Sequence, residues 1–491
     1  MSNQIPRIII AALKGGSGKT IVSLGLAASW RDKGFKIAPF KKGPDFIDSS
    51  WLSLAAGRPC YNLDPFLMTE PQIVQSFLTN SADKDISLIE GNRGLFDGLD
   101  QEGQYSTATL GKLLKTPIII IVDVTMVTRT AAALVMGCQN FDPDLEIAGI
   151  ILNRVAGSRQ DSIVRNSIEG YCKVPVVGSI PKFKENLFPE RHMGLIPHRE
   201  RCQGENAITW AKGVAEKNLD LDALERIARH AAPFENAYAF NGMIPVSDEN
   251  NDKKNDFPDE ADRFPSMDGR SARIGFVRDN AFWFYYPENL DQLKKLGAVL
   301  VEVDSLADKT LPPLDALYIG GGFPETQAEA LANNLGFRES LKRQVEAGLP
   351  VYAECGGLMY LGESLLVNET AYPMAGILPL KCVLEKKPQG HGYTILETSR
   401  PNPYYPVGEI LKGHEFHYSR PLITNAKGIE TAFQVKRGHG LDGRRDGLYK
   451  KNLLATYTHL HASGNSLWGK SFFKKAIEFK RQNTIFFNFK Q

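Results

Sequence analysis

The strand-like run Arg7-Ile-Ile-Ile-Ala-Ala, then Leu13-Lys14-Gly15-Gly16-Ser17-Gly18-Lys19-Thr20, then IVSLGLAASWRDKG, constrains this chain more than any other segment. The apolar β-branched run reads as a buried strand, the glycine cluster as a loop, and the segment after it as a helix. Such a loop aims bare backbone N–H groups and a helix N-terminus at one point, the arrangement a phosphate binds. Lys14, Gly15, Gly16, Ser17, Gly18, Lys19 and Thr20 are therefore the expected nucleotide-binding residues, with the Thr20 hydroxyl placed for Mg²⁺. The first glycine of G-x-x-x-x-G-K-[ST] is Leu13 here, and Lys14 turns the loop into K-G-G-S-G-K-T.

The same rhythm continues. Ser87–Glu90, Pro117–Val124, Glu146–Leu152 and Val174–Ile180 read as further strands, separated by stretches long enough for crossover helices. That pattern predicts an α/β parallel sheet covered on both faces. SDENNDKKNDFPDEADRFPSMDG is polar and without apolar period, so residues 232–271 are expected to form a linker between domains at 1–231 and 272–491. Beyond it Arg273–Val277, Ala298–Val303, Ala316–Ile319, Pro350–Ala353 and Leu453–Tyr457 restart the α/β alternation. An amphipathic tail from Leu467 is expected to dock on the second domain.

Composition narrows the function classes. Lys plus Arg at 58 against Asp plus Glu at 56 gives no charge-based case for a nucleic-acid or anionic-membrane partner. The apolar run Ile118–Val122 is too short to span a bilayer and MSNQIPRIII does not look like a leader, so the chain reads as cytoplasmic. Six cysteines without a C-x-x-C pair indicate neither a disulfide framework nor a zinc site. GHEFHYS spaces His414 and His417 by three where a zincin needs four, and His459 with His461 has no third ligand nearby.

Two segments fit the phosphate loop. KKGPDFID carries Lys41, Lys42, Asp45 and Asp48, and LIEGNRGLFDG places Glu90 and Asp97 at and after a strand end. Carboxylates there are suited to Mg²⁺, with Asp48 and Glu90 the expected ligands beside Thr20, and Lys41, Asp45 and Asp97 on the acceptor side. Each acid taken alone also reads as a helix cap or turn. Asn153, just past a strand, offers an amide for an adenine edge, with a plain turn role as the alternative.

In the second half Pro-Val-Tyr-Ala-Glu-Cys-Gly-Gly-Leu puts Cys355 between a strand and a helical start, where the helix dipole favours a thiolate. Gly320-Gly321-Gly322-Phe323-Pro324-Glu325 is a second strand-to-glycine loop. Gly321, Gly322 and Gly356 are the expected oxyanion donors, and His459 or His461 the base. A buried structural cysteine is the alternative for Cys355.

Together the glycine-rich loop, FKKGPDFID, GRPCYNLD, Glu90–Gly98, LNRV, RDNAFWFYYPENL, GGGFPE, YAECGGLMYL, GHEFHYS and YTHLHASGN resemble the cobyrinate a,c-diamide synthase family across nearly the whole chain. The resemblance implies a dethiobiotin-synthetase-like P-loop domain joined to a flavodoxin-like class I glutamine amidotransferase domain. It further implies that Cys355 releases ammonia from glutamine while MgATP activates a tetrapyrrole carboxylate as an acyl phosphate. The family's Tyr-x-His pattern assigns the base to His459. The acid of related triads, two residues after the histidine, is His461 here, so some other group is left to orient His459. Where cobyrinate enzymes commonly read E-G-V-M-G-L, this chain has Asn92 and Arg93, which join the acceptor-side residues and point toward a sirohaem-amidating branch.

The expected partners are thus a tetrapyrrole carboxylate, glutamine and ATP, with a homodimer compatible. Two competing readings stand beside this one. A dimerising P-loop ATPase switch would use Lys14 on a partner's nucleotide and leave Cys355 unexplained; a tetrapyrrole-binding scaffold would leave Lys19, Thr20 and Cys355 idle.

Overall fold

The structure is a computed structural model that describes residues 4–183, 190–191, 194–195, 204–234, 271–425 and 430–488. The chain divides into two compact units, Met1–Ile244 and Pro245–Gln491. Most of the segment read as a linker, and Cys202, lie outside the described residues.

In the first unit the strands are β1 (Arg7–Ala12), β2 (Ile37–Lys42), β3 (Tyr61–Leu63), β4 (Ile86–Glu90), β5 (Ile118–Asp123), β6 (Ile147–Val155) and β7 (Val176–Pro181). They form one parallel sheet in the order β3-β2-β4-β1-β5-β6-β7. Central β1 is flanked by β4 and β5, and Ile8, Ile9 and Ile10 are wholly buried, as a strand covered on both faces requires. Helices α1 (Lys19–Asp32) and α2 (Phe46–Ala56) follow β1 and β2. The sequence pattern finds β1 and β4–β7 but not β2 or β3. In β2 the run IAPFKK ends in two lysines that are themselves buried, which hides a core strand from a hydrophobic pattern.

The second unit holds a ten-stranded sheet. Its parallel part runs Ala298–Val303, Ala272–Val277, Ala316–Ile319, Val351–Glu354, Leu453–Thr456, the chain order 2-1-3-4-5 of a flavodoxin-like sheet. An antiparallel extension follows through Arg445–Lys450, Glu430–Arg437, Gly390–Thr398, Ile410–His417 and His459–Leu460. The sequence reading misses this extension, because its strands carry many charged residues on their outer face, as half-buried antiparallel strands do. The C-terminal helix Ser466–Asn488 docks as expected, burying Trp468, Phe472, Phe473 and Ala476 among Ile274, Leu293 and Tyr318.

Candidate active sites

The residues expected to bind nucleotide, metal and acceptor gather at the C-terminal ends of β1, β2, β4 and β6, where parallel sheets place ligands. Gly18 caps α1 with φ 95°, and a Cβ there would sit 2.6 Å from Asn153 Nδ2, so glycine is required at this turn. Gly15 and Gly16 are exposed and Ser17 is buried, its hydroxyl donating to the Lys14 carbonyl at 3.1 Å. Lys19 is buried and donates to the Arg93 carbonyl at 2.7 Å. Burial, with the Lys41 charge next, draws its pKa down.

Thr20 Oγ1 donates to Glu90 Oε1 at 2.8 Å, and Lys41 Nζ donates to the same oxygen at 2.8 Å and to Asp48 Oδ2 at 2.7 Å. Register explains the meeting, since Lys41 stands beside Glu90 across β2 and β4. Burial opposes the Lys41 ammonium, but the charges of Asp48, Glu90 and Asp45 outweigh it and hold the pKa well up. Burial pushes the Glu90 carboxyl upward while Lys41 and Thr20 pull it back. Glu90 Oε2 is buried without a hydrogen-bond partner, which, with the Thr20 hydroxyl and Asp48, makes a hard-oxygen set fit for Mg²⁺. No group of three or more His, Cys, Asp or Glu able to hold a metal occurs among the described residues; Mg²⁺ characteristically takes one or two carboxylates plus phosphate oxygens.

Other acceptor-side residues divide. Asp45 caps α2, accepting from the Asp48 N–H at 2.9 Å, so the cap alternative describes its carboxylate. Asp97 accepts from the Gly94 N–H at 2.8 Å and pins the loop that carries Arg93. Asn92 is held to Thr107 through its backbone, its amide lying against Gly43. Arg93, at φ 50°, is exposed. Asn153 donates to the Ser17 carbonyl at 2.8 Å and accepts from the Arg154 N–H at 2.8 Å, so its amide braces the phosphate loop and the adenine contact stays a proposal. Lys14 lies 3.4 Å from Asp123 of its own chain. The sequence reading misses Asp123 and Arg154. Arg154 bridges Asp123 at 2.8 Å and the Gly16 carbonyl at 3.2 Å, fixing the far side of the loop.

In the second unit Cys355 sits between the strand Val351–Glu354 and the helix Gly356–Leu361, at φ 48° and ψ −99°. For a residue with a Cβ this conformation costs about 1–3 kcal/mol and is a hallmark of functional turns. Gly356 packs on Gly322: a Cβ on Gly356 would meet the Gly322 nitrogen at 3.1 Å. A Cβ on Gly321 would meet His459 Cε1 at 2.4 Å. Gly356, next to Cys355, and His459 thus both border the glycine loop. Contrary to the expectation of a dipole-favoured thiolate, burial, with Glu325 next, pushes the Cys355 thiol up, although the Gly356 N–H pulls the other way. A thiol kept protonated requires a base.

Around His459 the histidines are packed together. His414 stands opposite His459 across two strands and stacks on it with centroids 5.0 Å apart. Burial, then the neighbouring His459 and His461, draws His414 well below the usual histidine range, keeping it neutral. His461 is fully buried and lies 3.4 Å from Glu288. Glu354, which sequence reasoning passed over, reaches His459 Nδ1 at 3.3 Å. Its only signal was its position before the cysteine.

A cysteine at a strained turn on a 2-1-3-4-5 sheet, in one chain with a P-loop sheet, belongs here to a glutamine-dependent amide-forming ligase, the class that the following matches show. Residues 8–196 match the CobQ/CobB/MinD/ParA nucleotide binding domain, and residues 273–467 the CobB/CobQ-like glutamine amidotransferase domain. The chain is 40% identical to a cobyrinate a,c-diamide synthase of Magnetococcus marinus, over 95% of this chain and 96% of that one. It is 40% identical to one from Archaeoglobus fulgidus, covering 97% and 98%, and 36% identical to one from Dehalococcoides mccartyi, covering 96% and 99%. The chain belongs to the cobyrinate a,c-diamide synthase family.

Proposed function

We propose that this chain amidates the a and c acetate carboxylates of cobyrinate with ammonia from glutamine, at the expense of ATP. The observation that carries the reading is the pairing, in one chain, of the Lys41–Glu90–Thr20 cluster with the Cys355 turn, in a sequence whose near-full-length relatives bear that activity in their names.

A carboxylate is too poor an electrophile for ammonia. In the first unit an acceptor carboxylate oxygen attacks the γ-phosphorus, ADP leaves, and an acyl phosphate results. Lys19 and the loop N–H groups hold the phosphates, and Lys41 fixes Glu90 and Asp48 in place. Thr20, Asp48 and Glu90 would hold Mg²⁺, which supplies charge neutralisation at the phosphate oxygens. In the second unit His459 takes the Cys355 proton as sulfur attacks the glutamine side-chain carbonyl. The N–H groups of Gly321, Gly322 and Gly356 receive the oxyanion, ammonia departs with the proton, and water clears the thioester as glutamate. Ammonia then attacks the acyl phosphate, forming the amide and releasing phosphate.

Exposed Arg93 beside Asn92 favours a second substrate, sirohaem or sirohydrochlorin, because a guanidinium grips carboxylates bidentately. Mass spectrometry of a competition among cobyrinate, sirohaem and sirohydrochlorin, with MgATP and glutamine, tests both. Cobyrinate diamide is the expected product. Preferential amidation of sirohaem transfers the assignment to that substrate, and ATP turnover with no amide on any of them sinks the synthase reading.

A further inference from the structure

We propose that Glu354, the residue immediately before the nucleophile, is the positioning acid of the glutaminase site, in place of an acid two residues after the histidine. The proposal rests on Cys355 and His459 being that site's nucleophile and base.

The position two after His459 holds an imidazole, His461, which cannot supply a permanent negative charge to its neighbour. Glu354 can. It ends the strand Val351–Glu354, and its side chain reaches His459. Glu354 Oε2 is 3.3 Å from His459 Nδ1, and neither side chain is exposed by more than 1%.

The carboxylate is itself fixed. Oε1 accepts the Leu460 N–H at 3.2 Å and Oε2 the Tyr318 hydroxyl at 3.0 Å. Asn289 donates to the Tyr318 hydroxyl at 3.3 Å and to the Leu460 carbonyl at 2.9 Å, and accepts the Ala462 N–H at 2.7 Å. The acid and the strand bearing His459 are thereby tied to one another through both backbone and side chain. A buried carboxylate with three donors around it would hold the proton of His459 on Nδ1 and leave Nε2, which lies over Gly321, as the basic nitrogen. Two neighbouring groups are placed differently. His414 stacks face to face on His459 and is kept neutral, and Glu288 lies beside His461.

The test is steady-state glutaminase kinetics of Glu354→Gln, alongside ammonia-driven amidation and melting temperature of the same full-length protein. The amide keeps the size of the side chain but turns a donor or a neutral acceptor toward Nδ1. Glutaminase kcat should fall about 10²- to 10⁴-fold, the range for losing a correctly oriented base, with KM for glutamine and ammonia-driven amidation unchanged within about twofold. Glu354→Asp, which restores the charge, should recover at least about tenfold over Glu354→Gln. Glutaminase within about threefold of wild type in Glu354→Gln overturns the proposal. So does Glu354→Asp no better than Glu354→Gln, the result of a purely structural role even where both variants melt early. Cys355→Ser separates the two levels: if it retains glutamine-dependent amidation the glutaminase reading itself is wrong, whereas an inactive Cys355→Ser beside a normal Glu354→Gln removes Glu354 alone.

Discussion

Lys41 and Glu90 stand in register on adjacent parallel strands and meet at 2.8 Å with both side chains out of solvent. A parallel sheet covered on both faces has no cheap place for such a pair, and Asp48 at 2.7 Å from Lys41 completes it. Removing one member of a buried charge cluster leaves the others uncompensated. Lys41→Met should therefore lower the stability of the first unit by about 3–5 kcal/mol in urea unfolding. ATP-driven amidation should be lost while glutaminase activity persists. A loss below about 1 kcal/mol would show that water reaches the cluster and screens it.

Cys355→Ser should abolish glutamine-dependent amidation, by at least about 10³-fold, and leave amidation driven by ammonium salts intact. The hydroxyl is a far weaker nucleophile than sulfur in the same turn, while the P-loop site lies in the other unit. Parallel loss of both activities in a folded protein would contradict two separately acting sites.

Gly321 has no room for a methyl group, because the His459 ring occupies that space at 2.4 Å. Gly321→Ala must push the imidazole aside or tilt the loop, and either motion spoils the alignment of the proposed base and oxyanion donors. Glutaminase kcat should fall about 10²-fold with little change in KM for glutamine. Gly15→Ala in the phosphate loop serves as the contrasting control for stability, since a Cβ there meets nothing within 4 Å.

Asp123 carries a pH signature. Burial pushes its carboxyl up, but the Thr125 hydroxyl and N–H, with Arg154, outweigh that and hold it at about 2 against an ordinary 3.8. A depressed carboxylate contributes stability that is complete above its unfolded pKa and lost as pH falls from there through about 2. That contribution is about 1–2 kcal/mol after allowance for the partly exposed Arg154. Wild type should lose it between about pH 4 and pH 2, and Asp123→Asn should show a flatter acid limb and weaker nucleotide binding. Denaturant titrations at several pH values decide this. Identical acid limbs would mean that Arg154 and Thr125 do not act on Asp123 in solution.

Much of this molecule is readable in one dimension. Strands β1, β5 and β6 announce themselves as uninterrupted apolar runs, and K-G-G-S-G-K-T and A-E-C-G-G mark both sites, because a loop that cradles phosphate or aims a nucleophile needs glycines at fixed local spacing. What periodicity misses is buried charge. Strand β2 ends in Lys41 and Lys42, and the antiparallel strands from Gly390 onward mix glycine, polar and charged residues with apolar ones, so neither registers as core. Asp45 shows the reverse ambiguity: an acid that looks like site chemistry also caps α2. The thiol of Cys355 is a third case, since its burial overrides the helix dipole that the local sequence promised.

The sequence by itself determined the two α/β units, the glycine-rich loop, the cysteine turn and the family, because each of these depends on residues close together in the chain. Tertiary structure alone decided the long-range partners: Lys41 with Glu90, Arg154 with Gly16, and Glu354 with His459 across 105 positions. Strand order and register fix those meetings. A hydrogen bond or an ion pair depends on distances of a few ångströms that no local pattern of residues encodes.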